Sequence, residues 1–158
     1  MSHVMVVVCC IDPAVRKPMR RLKERFAPEF APDFFEIKMV GGAYALVDGV
    51  QLHQDALIDQ IQRALMASGA SEVALINHEN CRAQGGSTSF GNVYHERSVN
   101  KNRLQEAYWV LRSKLSQDVG IHLVYLPKDG EADILATPRF APSADDGVGL
   151  ASAEPALA

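Results

Sequence analysis

The chain is poor in cysteine and tryptophan, with three of the first and one of the second in 158 residues. It also lacks any apolar run approaching the ~20 residues that span a membrane. Three cysteines, two of them adjacent as Cys9-Cys10, make a poor disulfide framework, so metal binding or thiol chemistry is the expected use of a thiol. A large excess of charge is missing too. With a net charge of −3 and a pI of 5.9, nothing overall draws the chain to nucleic acid or an anionic membrane. The one basic run, from Arg16 to Arg25, reads as a solvated helix face. The apolar residues after Met1 have no basic segment before them, so they read as a buried strand, and the cytoplasm is the expected compartment. What is present, 47% hydrophobic and 22% charged residues, suits one domain with a respectable core.

Residues 4–9 are a continuous apolar run, the pattern of a parallel strand covered on both faces. Pro18 suits the first turn of a helix through about Phe26, with Met19, Leu22 and Phe26 on one face, and Pro28 and Pro32 end it. A second strand over 34–40 closes on Gly41-Gly42, a pair that permits positive φ or close backbone approach. Leu57, Ile58, Ile61, Ala64 and Leu65 recur at helical spacing from about Gln54, and Gly69 is placed to stop that helix before a strand over 73–76. Residues 82–96, rich in Gly, Ser, Thr and Asn, read as a loop. Ser98 is the expected N-cap of the next helix, whose apolar stripe is Leu104, Ala107, Tyr108, Leu111 and Leu115. A strand over 121–126, a turn at Lys128-Asp129-Gly130 and a short edge strand over 131–135 follow. The domain is expected to occupy 1–137, with 138–158 a mobile or partner-ordered tail. Alternating strands and helices predict an α/β fold with a largely parallel central sheet flanked by helices, and ligands gather beyond the carboxyl ends of such strands.

The chemistry-bearing residues fall at those ends. Cys10 and Asp12 follow the first strand, Gly41 and Gly42 the second, and His78 and Cys81, spaced H-x-x-C, the third. Two thiolates and an imidazole suit Zn²⁺ far better than magnesium or calcium. Three protein ligands leave one position open, where a water would titrate near ~7 and could attack an electrophilic carbon. Each residue also has a plain structural use: Cys10 as a buried thiol, Asp12 in a turn with Pro13, the glycines in a tight bend. His95 and His122 read as ordinary residues, and Tyr108 and Trp109 as helix packing.

These residues resemble the β-class carbonic anhydrases, whose signatures are C-x-D-[ST]-R after the first strand and H-x-x-C-G after a later one. The matches are Cys10-Ile11-Asp12 and His78-Glu79-Asn80-Cys81, with Gly41-Gly42 in the place of a glycine pair and Val124-Tyr125 with Asp129-Gly130 in the place of the last strand and turn. The resemblance runs from about Val4 to Leu135. It implies that family's α/β sheet, zinc held by Cys10, His78 and Cys81, and Asp12 either orienting the zinc-bound water or becoming the fourth ligand. It also implies a lyase converting CO₂ or a similar small electrophile to bicarbonate or its analogue, Gly41 and Gly42 at the substrate, and a homodimer or higher assembly.

The departures bear on turnover. Ala14 stands where the family has the arginine that holds the aspartate off the metal, Lys38 and Met39 replace two more polar groups, and Arg82 replaces the glycine after the second cysteine. Three readings stay open. The chain is a zinc lyase in which Arg16 or Arg82 supplies the missing charge. Or it is a non-catalytic zinc protein, closed by Asp12 and used for assembly or sensing. Or Cys10 to Arg16, spelling C-x₅-R, is a phosphatase-type loop, although it lacks glycine and carries Asp12 where an anion would sit.

Overall fold

In the structure, a computed structural model, residues 4–26 and 33–138 are described. Strands β1 (Val4–Cys10), β2 (Asp33–Met39), β3 (Glu72–His78) and β4 (Gly120–Leu126) run parallel, and β5 (Asp133–Leu135) adds antiparallel to β4. The spatial order is β2-β1-β3-β4-β5. Helix α1 (Arg16–Phe26) joins β1 to β2, α2 (Gln51–Ser68) joins β2 to β3, and α3 (Val93–Arg112) joins β3 to β4.

That order reverses direction at β1. The chain steps one way to β2, then crosses back over β1 to β3, and right-handed crossovers in opposite directions put their helices on opposite faces. Val15, Met19 and Leu22 accordingly pack on Val7, Cys9 and Ile76 on one face. Leu57, Ile61, Leu104 and Leu111 of α2 and α3 pack on Val6, Val8 and Leu75 on the other. Cys9 points into the first of these layers and is 1% exposed, because neighbouring side chains of a strand face opposite sides of the sheet. The crevice between β1 and β3, where the topology switches, is where such sheets bind ligands.

The expected elements appear with small shifts. Gly69 closes α2 in the left-handed region, φ 68°, its N–H donating to the Leu65 carbonyl. The start of α3 is different. Ser98 is not an N-cap but lies inside the helix; Asn92 is the cap, its side chain accepting from the His95 N–H. Two buried polar residues, Glu96 and Asn100, occupy the first turns of the inward stripe, so the apolar period becomes visible only at Leu104. The loop expected over 82–96 also contains two short 3-10 turns, at Arg82–Gln84 and Ser87–Phe90. The side chain of Phe26, the breaks at Pro28 and Pro32, and all of the tail but Pro138 lie outside the described residues. Among the described residues no helix is long and apolar enough to cross a membrane.

Candidate metal centre

Cys10 is the last residue of β1, and His78 is the last of β3. In a parallel sheet these ends share one edge, and Val8 lies level with Leu75, which brings Cys10 and His78 to neighbouring positions at the β1/β3 switch. Cys81 joins them because the chain turns sharply at Asn80, the one non-glycine with positive φ (59°) among the described residues. The ligand atoms of Cys10, His78 and Cys81 all lie within 4.8 Å of one another, and all three residues are buried.

His78 Nδ1 lies 2.9 Å from the Glu79 carbonyl oxygen, which can only accept, so Nδ1 carries the proton. That leaves Nε2 with a bare lone pair, and it is buried without any hydrogen-bond partner. An orphaned imidazole nitrogen facing two sulfurs 3.8 Å apart is the donor set a soft divalent ion needs. The protonation pattern agrees. The Cys81 thiol donating to Cys10, with help from the Asp12 and Gly41 N–H groups, lowers Cys10 from its ordinary value against the effect of burial. The same sulfur contact, together with burial, pushes Cys81 up. One thiolate is therefore favoured before a metal arrives, and the metal's charge is what stabilises the second.

Gly42 sets the floor. Its φ is +57°, and a Cβ there would come within 2.8 Å of the Cys10 nitrogen and 3.0 Å of the Ile76 carbonyl oxygen. Gly42→Ala is expected to cost about 2–4 kcal/mol in denaturant unfolding, from a strained backbone and a displaced neighbour combined. A cost near zero would show that the close approach is not required. Gly41, also at positive φ (82°), starts the same turn.

Asp12 is held by the residue sequence reasoning left undecided. Its Oδ1 accepts from the Ala14 N–H at 3.0 Å and from an Arg82 terminal nitrogen at 3.1 Å. Its Oδ2 accepts from Arg82 Nε at 3.1 Å and from the Arg82 main-chain N–H at 3.2 Å. This is a two-pronged guanidinium–carboxylate pair. Arg16 instead begins α1 and is exposed. The Arg82 guanidinium holds the Asp12 carboxyl well below the usual carboxylate range, with the Ala14 and Arg82 N–H groups adding to this against the effect of burial. A depressed folded-state pKa stabilises the fold fully above the unfolded value of about 3.9 and loses that contribution as pH falls through the lower folded value. Metal-free wild type should therefore lose stability below about pH 4 more steeply than Asp12→Asn, as read by urea unfolding. Equal acid limbs would refute the pairing.

Of the other residues weighed, His95 is exposed and packs edge-on to Phe90, and His122 pairs with Glu72 at 3.4 Å. Tyr108 and Trp109 pack against each other edge-on. Sequence reasoning missed Glu79, whose Oε2 accepts from the Lys128 N–H, and Glu96, whose Oε1 accepts from the Asn80 N–H. The available signal was a glutamate in register with the apolar stripe of α3.

Fold and site together define an α/β protein with a β-carbonic-anhydrase-like sheet and a Cys-His-Cys group that could hold a metal. No protein-family model matches the chain, and no curated protein matches it in sequence. Among solved structures it is similar to the crystal structure of the β-carbonic anhydrase CafA of the fungal pathogen Aspergillus fumigatus. The TM-score is 0.54 at 13% identity, covering 87% of this chain and 78% of that one, a likeness of fold.

Proposed function

We propose that this chain is a zinc-dependent lyase that hydrates CO₂ or a similar small electrophile. The observation that carries the reading is the Arg82–Asp12 pair beside Cys10, His78 and Cys81: an ionised carboxylate fixed by a guanidinium although Ala14 cannot supply one. Cys10, His78 and Cys81 would hold the ion. Zinc bound there supplies a Lewis acid that brings a water's pKa down to about 7.

The chain's own residues do the rest. Asp12, ionised across the working range, accepts a hydrogen bond and so aims a reacting water's lone pair. Arg82 holds the carboxylate through its guanidinium and its main-chain N–H, which would keep Asp12 from becoming a further ligand when Cys10, His78 and Cys81 hold the ion. Gly41 and Gly42 would border the substrate at the floor of the site, where Gly42 lies close against the Cys10 and Ile76 backbone. A homodimer or higher assembly is part of the proposal, supported by exposed Ile11 (54%) and Val40 (62%) just beyond the ends of β1 and β2.

The test is stopped-flow CO₂ hydration on protein of verified zinc content, from neutral to alkaline pH. Hydration rising through a pKa near ~7 is expected. A fully loaded chain that is inert throughout would overturn the lyase reading. It would favour the non-catalytic alternative, in which Asp12 leaves Arg82 and closes the site.

A further inference from the structure

Glu96 is the most deeply buried carboxylate among the described residues, 0% exposed, in the first turn of α3. A carboxylate removed from water is retained at such a position only where something compensates its desolvation. Its Oε1 accepts from the Asn80 N–H at 2.5 Å, while Oε2 is buried without a partner.

The Asn80 N–H and the Glu79 carbonyl belong to one peptide group, and that carbonyl is the acceptor for His78 Nδ1–H. A continuous chain of hydrogen bonds therefore runs from the imidazole, through a peptide unit, to a buried carboxylate. Metal-binding histidines commonly give their second N–H to a carboxylate or a carbonyl, which fixes the tautomer and raises the basicity of the ligating nitrogen. Here both partners act in series. The carboxylate polarises the peptide, and the polarised carbonyl is a stronger acceptor for Nδ1–H.

The surroundings keep that peptide in place. The Glu79 N–H donates to the Leu126 carbonyl and the Glu79 side chain accepts from the Lys128 N–H, both at 2.9 Å. On the other side the Asn80 side chain accepts from the Ser87 N–H at 2.9 Å. The peptide has no other donor through which α3 could hold it. Asn100 Nδ2 donates to the Glu96 carbonyl and fixes the helix turn that carries the carboxylate.

We propose that Glu96 is a positioning residue for the metal centre, orienting His78 and raising the basicity of its Nε2 through the Glu79–Asn80 peptide. The inference rests on the reading that Cys10, His78 and Cys81 hold a metal. It is tested by zinc affinity from chelator competition, by the visible spectrum of the cobalt-substituted chain, and by the ¹H–¹⁵N shifts of the His78 ring. Glu96→Leu should weaken zinc binding about 10- to 100-fold, shift the cobalt bands and move the His78 Nδ1–H resonance. Glu96→Gln, which keeps an acceptor but loses the charge, should recover part of each effect, since a neutral acceptor makes roughly half as strong a bond. Glu96→Ser leaves room for a water on the Asn80 N–H and serves if the leucine chain does not fold.

A role confined to holding the loop would lower the melting temperature while leaving zinc affinity, cobalt spectrum and ring shifts at wild-type values, and that result would overturn the proposal. Wild type that binds neither zinc nor cobalt stoichiometrically would instead sink the metal-site reading itself, so the two failures are distinguishable.

Discussion

A Cys81→Ser chain is expected to fold yet to emerge from dialysis without stoichiometric zinc. Cys81 is 1% exposed, and its sulfur lies 3.8 Å from that of Cys10. Serine fills nearly the same space and can still hydrogen-bond to Cys10, so packing changes little. What disappears is a soft anionic ligand, because an alcohol does not ionise near neutral pH as a metal-bound thiol does. Structural zinc is bound by about 10–16 kcal/mol, so one protein ligand of three is worth roughly 3–5 kcal/mol, a hundredfold or more in affinity. Two remaining ligands would not hold the ion through dialysis. Metal analysis decides it: full occupancy in the serine chain would remove Cys81 from the ligand set. The same chain is the proper blank for the hydration assay.

The second large effect is expected at Arg82, and it has the opposite signature. The Arg82 side chain is 73% exposed while that of Asp12 is 6% exposed, so removing the guanidinium takes little from the core. Arg82→Ala should keep its zinc and its fold. CO₂ hydration should fall roughly 10²-fold, the usual scale for losing a group that fixes a catalytic contact. The reason is orientation: without the fork, the carboxylate keeps only main-chain donors, the Ala14 and residue-82 N–H groups, and is free to turn toward the metal. Adding Ala14→Arg to that chain should return part of the rate, since it offers a guanidinium from the near side of Asp12. Ala14→Arg alone should change little, because Arg82 already occupies the carboxylate. Wild-type turnover in Arg82→Ala would show that the pair is ornamental to the chemistry.

The sheet was legible because buried parallel strands are short and largely apolar. Residues 4–9, 73–76 and 121–126 each lie in a core strand, and each observed strand is one to three residues longer than its apolar run. In β3 the extra residues include Asn77 and His78, polar side chains that the run of apolar letters does not cover but the hydrogen-bonded ladder does. Helix α2 was equally clear from its repeat and its terminal glycine. The beginning of α3 was not, because Glu96 and Asn100 put polarity on the buried face for reasons local sequence does not contain.

By itself the sequence determined the α/β class, the strand ends that carry chemistry, and the donor types that suit a soft divalent ion. All of these depend on residue identity and on spacing within a few positions, which short-range sterics and ligand chemistry read directly. Tertiary structure alone decided which guanidinium meets Asp12, seventy positions from Arg82 in the chain, and which carboxylate stands behind His78. Such pairings are set by strand order and by the face each crossover helix takes. Those follow from global packing of the sheet, and no local pattern encodes them.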